Sequence, residues 1–304
     1  MKGALLVFEA MLEENADGSL TLPVSISPEY RDARIDAWGR NSSFQLAAIH
    51  RLAENLLTAA EILGIQPYPG AVKIKEKLPQ FSLQDGEIAL WENLLLEESH
   101  RHHSHLAGIT PFCTIDPFDP AMRDIVEKSI YRLTVLGMGQ WVGWCMPWAS
   151  QIYTRCGNGN MAELILKIWE DGFTNDGGGS LHDGRYKGFT MYAQFRGEVM
   201  QMDGGMGAVA AIQDQFLHVY NGELRAFYGV PPQLRGISFS GMFAPDGMKV
   251  SGEISENGTV SLEIYAAKAA SLAISVPGSE IFRADAAAGE TISLVKQGNT
   301  LCRR

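Results

Sequence analysis

A run of histidines is the densest group of chemically active side chains in this 304-residue sequence. Four of the seven histidines lie between residues 100 and 105, with Arg101 among them. The run lacks the apolar spacing that would bury one face of a helix, and Gly108 and Pro111 follow it, so we predict a loop, the histidine loop (residues 100–106). Arginine and neutral histidine offer directional hydrogen-bond donors and acceptors. We therefore expect these side chains to be free to bind a ligand rich in hydroxyl groups, such as a sugar.

Two other interpretations of this run stay open. His102 and His105 could share one face and bind a metal ion, but the i, i+4 spacing of a zinc-protease helix is missing and no cysteine lies near enough to complete a common ligand set. The run could also be a structural loop whose polar groups are merely hydrogen-bonded. We predict a substrate pocket with no metal and no cofactor.

Two carboxylates stand at positions that suit catalysis. Glu29 follows Ser27 and Pro28, and proline biases the residue before it away from the helical region, so Glu29 is predicted on an irregular segment. Asp203 is predicted in a glycine-rich turn just before a helix, where the backbone can approach a ligand closely and the helix N-terminus favours an ionised carboxylate. The alternative for Asp203 is a plain helix cap or turn residue.

Together with nearby tryptophans, these residues are the components of a glycosidase. One carboxyl group would act as acid and the other as base, the histidine loop would bind hydroxyl groups, and the tryptophans would stack on sugar faces. The tryptophans are Trp141, Trp144 and Trp148. Each is alternatively an ordinary core residue. The carboxyl group that acts as the acid would need a raised pKa, and Tyr30 and the tryptophans are candidates for an apolar wall that would raise the pKa of Glu29.

Composition excludes several classes of partner. The formal net charge is −10 and no run of basic residues is longer than the final Arg303–Arg304, so we expect neither a nucleic acid nor a membrane as partner. The four cysteines lie far apart without a CxxC pair, which argues against a zinc knuckle or a dense disulfide framework. No apolar run reaches the roughly 18 residues of a membrane span, and Glu9 interrupts the apolar start too early for a secretory signal. We assign no cellular location.

The hydrophobic period predicts helices in the first two thirds of the chain and strands after about residue 220. The predicted helices cover residues 3–14, 120–136, 144–156, 160–171 and 208–219, and a further long helix is capped within residues 41–43 and ends at residue 63. The predicted strands, joined by Asp-Gly and Asn-Gly turns, cover residues 237–243, 249–254, 260–265, 272–276 and 291–295. The predicted fold class is therefore mainly α: a partial (α/α) toroid of antiparallel helices over residues 1–219, followed by a small antiparallel β domain over residues 220–304.

Four segments of the sequence resemble motifs of glycoside hydrolase family 95, the inverting α-L-fucosidases and their α-L-galactosidase relatives. The segments are Ser27–Glu29 (SPEN in the family), His100–Leu106 (HRHxSHL), Gly143–Trp148 (GWSxAW) and Met202–Gly207 (IDGNFG). They follow one another in the family's order. The resemblance implies that Glu29 is the general acid, Asp203 the general base, and Arg101 and His102 sugar contacts. We add His105 and Trp144, from the same segments, to the predicted substrate-binding residues.

The resemblance also implies a substrate and a further part of the site. The expected substrate is an oligosaccharide or glycoconjugate with a terminal α-L-fucosyl or related residue. Tyr30 and Gly205 stand where the family has asparagines, and the family polarises its base with two more asparagines from an N-terminal part of the toroid that this sequence does not contain. We therefore expect an N-terminal half or a second copy of the chain to complete the site, and weak or no turnover of fucosides without it. The alternatives are a degenerate relative that binds carbohydrate without cleaving it, and a metal-dependent hydrolase.

We expect Glu29, Arg101, His102 and Asp203 to converge on one cleft. All four are predicted on irregular segments next to helix ends, where an α/α toroid gathers its loops. An inverting mechanism requires the carboxyl groups of Glu29 and Asp203 to lie roughly 6.5–9.5 Å apart, which leaves room for a water molecule.

Overall fold

The computed structural model describes residues 1–32, 34–193 and 197–304. Within these residues the chain forms α-helices and mainly antiparallel sheets, so the architecture is a mixture of α and β structure. The chain divides into two compact units: the first comprises Met1–Cys145 and Asp183–Gly197, and the second comprises Met146–His182 and Glu198–Arg304. The predicted toroid and the predicted domain boundary at residue 220 stay predictions.

The helices precede residue 217 in the sequence, in agreement with the hydrophobic period. Those in the described residues are α1 (Lys2–Met11), α2 (Ser43–Leu63), α3 (Pro69–Lys77), α4 (Arg123–Leu136), α5 (Cys145–Arg155), α6 (Gly159–Gly172) and α7 (Met202–Phe216). In the part of the chain that the structure describes, no helix is both long enough and apolar enough to cross a membrane.

In the first unit, α1, α2 and α3 share an apolar core. Leu5 of α1, Ile49 of α2 and Ile74 of α3 are wholly or almost wholly buried in it. Gly64 ends α2 in the left-handed conformation, with φ of 62°, as the sequence predicts. α3 is missing from the predicted elements, although Pro69 occupies its first position, where proline is favoured.

The predicted start of α4 is wrong. The helix begins at Arg123 and not at Pro120. The Asp119 carboxylate accepts a hydrogen bond from the Ala121 peptide N–H at 2.9 Å, which closes a separate turn before the helix. An aspartate followed by proline is compatible with either a helix cap or such a turn, so the sequence signal does not distinguish them.

The predicted start of α7 is also wrong. The helix begins at Met202, so Asp203 lies in the first helical turn and not in an irregular turn ahead of the helix. Several glycines in this segment disfavour a helix. Packing of Ala208 and Ala211 against Leu166 of α6 offsets that preference, because small residues let two helices approach closely.

The strands form two small hairpins and two larger sheets. The hairpins pair β1 (Glu13–Glu14) with β2 (Leu20–Thr21), and β3 (Leu83–Gln84) with β4 (Glu87–Ile88). The four-stranded sheet has, in spatial order, β11 (Phe282–Ala286), β10 (Ala270–Ser275), β6 (Glu223–Ala226) and β5 (Leu217–Tyr220). The five-stranded sheet has β13 (Thr300–Arg303), β12 (Thr291–Gln297), β9 (Val260–Ala266), β8 (Met248–Ile254) and β7 (Ile237–Ala244). Both larger sheets belong to the second unit and bury side chains in one apolar core, to which Ile274 and Ile264 contribute.

α7 runs directly into the four-stranded sheet. The helix ends at Phe216 and β5 begins at the next residue. The Phe227 peptide N–H donates to the Phe216 carbonyl oxygen at 2.8 Å. Near the same end, Arg155 of α5 pairs with Asp214, with 2.9 Å between Nη2 and Oδ2. The C-terminal end of α7 is therefore attached both to the sheet and to α5.

Candidate active site

Glu29 stands on a tight turn with left-handed backbone. The φ angle is 54° at Glu29, 60° at Arg31 and 50° at Asp32. The Tyr30 peptide N–H donates to the Ser27 carbonyl oxygen at 3.2 Å, and that of Asp32 donates to the Glu29 carbonyl oxygen at 3.1 Å. Left-handed backbone is disfavoured for residues that carry a side chain, so it persists only where surrounding contacts hold it. The histidine loop supplies contacts of this kind.

The histidine loop holds the turn at two buried points. The hydroxyl groups of Ser27 and Ser104 are hydrogen-bonded to each other. His100 Nε2 lies 3.3 Å from the Glu29 carbonyl oxygen, and His100 Nδ1 lies 3.1 Å from the His102 peptide nitrogen. Because Nδ1 must accept from that N–H, the proton of the neutral ring is assigned to Nε2, which donates to Glu29.

The Arg101 guanidinium lies against the Glu29 carboxylate. Its Nε donates to Glu29 Oε2 at 2.6 Å, its Nη1 donates to the Tyr192 hydroxyl at 2.9 Å, and its Nη2 lies 3.6 Å from Asp32 Oδ1. The side chain of Arg101 is 20% exposed, whereas that of Glu29 is 55% exposed. The ion pair is thus supported by protein on the arginine side and open to solvent on the carboxylate side.

This pairing determines the charge of Glu29. Partial burial alone would raise the pKa of Glu29, but the hydrogen bond and positive charge of Arg101 outweigh it, so the pKa lies below its ordinary value. The expectation of a raised pKa is therefore wrong for the protein without substrate. Tyr30, the expected apolar wall, is buried and packs its ring edge-on against Trp91 and His100. Glu29 is ionised at neutral pH.

His102 lies beside the same carboxylate. Its Nδ1 is 3.7 Å from Glu29 Oε2, and its ring packs edge-on against Trp144 with the ring centroids 5.0 Å apart. Burial, together with the neighbouring His100, lowers the pKa of His102 to about 4, so its ring is neutral at physiological pH. A neutral imidazole in this place can hydrogen-bond to a hydroxyl group without adding charge.

Two other histidines of the loop are buried, which contradicts the expectation that its imidazoles are all free to bind a ligand. His103 Nε2 donates to the Cys145 carbonyl oxygen at 3.1 Å, and its ring packs against Trp141 with centroids 4.6 Å apart. His105, in a 3-10 turn over Ser104–Leu106, is 1% exposed. Burial lowers the pKa of both rings to about 3. The contact between His105 and a sugar stays a prediction. The structure places the His105 ring in the protein interior.

Asp203 lies in the second unit, in the first turn of α7. Ser180 anchors the residue before the helix: its carbonyl oxygen accepts the Gln201 N–H at 2.9 Å, and its hydroxyl donates to the Gln201 carbonyl oxygen at 2.6 Å. The Asp203 side chain is exposed. Among the described residues its carboxylate accepts one hydrogen bond, from the Gly204 N–H to Oδ1 at 3.1 Å. The free amides of a helix N-terminus favour a negative charge at this position.

The structure thus brings together four of the six predicted site residues, namely Glu29, Arg101, His102 and Trp144. Asp203 belongs to the other unit, so its convergence with Glu29 on one cleft stays a prediction. Within residues 1–32, 34–193 and 197–304, no group of three or more histidine, cysteine, aspartate or glutamate side chains is arranged to hold a metal ion.

Other residues that hold this group are not among the predicted site residues. Cys145 donates its Sγ–H to the Arg101 carbonyl oxygen at 2.8 Å. It lies in the motif that contains Trp144, so the motif itself could have indicated a role near the site. Tyr192 and Asp32, which contact the Arg101 guanidinium, lie outside every recognised motif and carry no signal in the sequence.

Comparison with known protein families gives a match over more than half of the chain. The glycosyl hydrolase family 95 catalytic domain matches residues 1–216. That range contains all six predicted site residues. A search of curated proteins returns no match.

Proposed function

Because the chain belongs to glycosyl hydrolase family 95, we propose that it is an inverting hydrolase of terminal α-L-fucosyl or related sugar residues. Family membership supports glycosidase activity in general. The finer proposal rests on one observation, that the Glu29 carboxylate, the Arg101 guanidinium and the neutral His102 ring lie together, with Trp144 against His102. This group offers an acid, two binders of hydroxyl groups and an aromatic surface, which suits an oligosaccharide or a glycoconjugate.

The two carboxyl groups would divide the proton transfers. Glu29 donates a proton to the glycosidic oxygen as the bond to the leaving group breaks, and Asp203 takes a proton from a water molecule that attacks the opposite face of the sugar. The released sugar has inverted configuration at its anomeric carbon. Water fits between the carboxyl groups when they lie roughly 6.5–9.5 Å apart.

The ion pair between Glu29 and Arg101 must weaken before Glu29 acts as an acid. In the protein without substrate, Arg101 lowers the pKa of Glu29. A sugar hydroxyl oxygen that accepts a hydrogen bond from Arg101 would take over one of its donors, and the sugar would exclude water from the carboxylate. Both changes raise the pKa of Glu29. Substrate binding would therefore protonate the acid in the complex where the proton is used.

The test is hydrolysis by the purified protein. α-L-Fucosides and α-L-galactosides with alkyl or sugar leaving groups are the substrates, and NMR identifies the first anomer released. Glu29→Gln and Asp203→Asn should each lower kcat by about 10²–10⁴-fold, the usual range for loss of a general acid or base. Glu14→Gln and Asp171→Asn are matched controls, because both are exposed, ion-paired carboxylates of the same two units.

The outcomes separate this proposal from its alternatives. Release of the retained anomer, or full turnover by both site variants, would contradict it. Saccharide binding without turnover in the wild-type protein would support a non-catalytic carbohydrate-binding relative. Loss of turnover on treatment with a chelator would support a metal-dependent hydrolase.

A further inference from the structure

The histidine loop touches Glu29 in two chemically different ways. Arg101 binds the carboxylate, which is largely open to solvent, whereas His100 binds the peptide carbonyl oxygen of the same residue from a buried position. We propose that His100 is a positioning residue, which keeps the backbone of Glu29 in place while Arg101 changes partner from the carboxylate to the substrate. This inference rests on the proposed function of Glu29 as the general acid.

Neighbouring rings and a hydrogen bond fix the orientation of the His100 ring. It is 4% exposed, and its ring packs against those of Tyr30 and His102, with both centroid distances 5.3 Å. The His102 peptide N–H donates to Nδ1, so the ring cannot turn over without losing that hydrogen bond. The remaining Nε2–H therefore stays directed at Glu29.

The backbone contact matters because the two main-chain hydrogen bonds of the turn hold a disfavoured backbone conformation. Glu29 has a φ of 54°, and Arg31 and Asp32 are left-handed as well. Released from the histidine loop, such a turn would relax toward the common backbone regions and carry the carboxylate with it. A catalytic group needs to be held within about 0.5 Å of its productive position, and a misplacement of about 1 Å can lower the rate about 10²-fold.

The two contacts also differ in what can replace them. A substrate hydroxyl can compete for Arg101, because the carboxylate end of that pair is exposed. The carbonyl contact of His100 is not accessible in the same way, since the ring is buried. The acid would therefore lose its ion pair on substrate binding and still keep its position.

The experiment replaces the ring nitrogens and keeps an aromatic ring. His100→Phe removes both hydrogen bonds, and His100→Gln restores them, since its amide can donate to Glu29 and accept from the His102 N–H. His50→Phe is the matched control: His50 is a buried histidine of the same unit whose Nε2 binds the carbonyl oxygens of Leu78 and Pro79. Kinetics on an alkyl α-L-fucoside, whose leaving group needs protonation, are combined with ¹³C NMR titration of the Glu29 carboxyl group.

We expect His100→Phe to lower kcat about 10–100-fold with KM little changed, and His100→Gln to recover most of that loss. In His100→Phe the Glu29 carboxylate should separate from Arg101, so its pKa should rise from the lowered wild-type value toward the ordinary one. His50→Phe should lose thermal stability without changing either readout.

An unchanged kcat and an unchanged Glu29 titration in a folded His100→Phe protein would overturn the inference. If that variant does not fold, Ser104→Ala, which removes the hydroxyl bond to Ser27, should move both readouts in the same direction by less. If neither kcat nor the Glu29 titration changed in Ser104→Ala, the inference would also be overturned. A wild-type protein that is inactive on every fucoside, but whose Glu29 titration responds to His100→Phe, would refute the proposed function and uphold the positioning role.

Discussion

Glu29 and Asp203 differ in how their surroundings hold them. Glu29 stands on a left-handed turn, and side chains of the histidine loop bind both its carboxylate and its carbonyl oxygen. Asp203 is exposed on the first turn of α7, where among the described residues it accepts a hydrogen bond only from the next peptide N–H. Side-chain contacts therefore orient Glu29, whereas the direction of α7 orients Asp203. Substitutions near each one should consequently have different effects.

The largest difference should appear when Glu29, the proposed acid, is replaced alone. Glu29→Gln cannot protonate a leaving group, so we expect a kcat loss of about 10²–10⁴-fold on alkyl or sugar leaving groups. Dinitrophenyl α-L-fucoside needs no protonation, so its hydrolysis should be nearly spared. A similar loss on both substrate types would show that Glu29 does not act as the acid.

Replacement of Asp203, the proposed base, should give the opposite pattern. Asp203→Ala should lose about 10²–10⁴-fold in kcat whatever the leaving group. Azide needs no deprotonation and should restore turnover by forming a β-L-fucosyl azide from an α-L-fucoside. Glu29→Gln serves as the control for azide, because azide cannot replace a proton donor. If azide restored turnover to Glu29→Gln and not to Asp203→Ala, Glu29 would be the base and Asp203 the acid.

The next effect concerns the stability of the first unit at acidic pH. His103 and His105 are buried with pKa values of about 3, so the folded first unit keeps them neutral while the unfolded chain binds protons near the ordinary pKa of 6.5. The unfolded state therefore binds more protons, and stability falls as the pH drops from 6.5 toward 3, by about 1.4 kcal/mol per pH unit for each histidine. Hydrogen exchange should show protection lost from the first unit in this window.

His105→Phe tests the origin of that loss. Replacing a titrating ring by one that binds no proton should remove about half of the slope that His103 and His105 cause together. His102, whose pKa is about 4, adds to the slope above that pH. A pH profile of the free energy of unfolding that is identical in the variant and the wild type would contradict the assignment.

A smaller effect should follow from Arg101→Gln. Loss of one hydrogen bond that involves a charged group costs about 1.5–3 kcal/mol, so kcat/KM should fall roughly 10–100-fold. The pKa of Glu29 in the free protein should rise, because its lowering depends on Arg101. The basic limb of the kcat/KM profile, which follows protonated Glu29, should then move to higher pH. If the basic limb stayed at the same pH, Arg101 would not control the pKa of the acid.

The smallest effect is expected beside Asp203. A Cβ at Gly205 would lie 3.0 Å from Ser180 Oγ, an atom that can move only by disturbing its hydrogen bond to Gln201. A helix gains up to about 1 kcal/mol from alanine in place of glycine. The two effects oppose each other, so Gly205→Ala should change the free energy of unfolding by less than about 1 kcal/mol. Gly3→Ala, whose Cβ meets nothing within 4 Å, measures the helix gain alone.

The sequence predicts the elements of the fold better than their starting points. Gly64 ends α2 as expected because a left-handed glycine after a helix is a local signal. The start of α7 at Met202 runs against the local preference of the glycines around Asp203, so no local pattern reports it. The same limit explains why α7 gives way to β5 at Leu217, before the predicted change at about residue 220.

The sequence likewise predicts some features of the candidate site and not others. The residue types of Glu29, Arg101 and His102 indicate their chemistry, and the structure brings them together. The sequence does not show that Arg101 pairs with Glu29 and lowers its pKa, because that depends on the path of two loops that are far apart in the chain. Burial of His105 is hidden for another reason: irregular backbone has no period from which an inward face can be read.

The attachment of α7 to the four-stranded sheet sets an angular tolerance for Asp203. The helix has 15 residues, so it is a rod about 22 Å long, with the sheet at one end and the carboxylate at the other. A tilt of about 5° at the sheet would move the far end by about 2 Å, more than the displacement that already lowers a rate about 10²-fold. The ion pair between Arg155 and Asp214 braces the end that acts as the pivot. If Asp203 is the base proposed above, residues at the sheet end of α7 decide how accurately it meets the attacking water molecule.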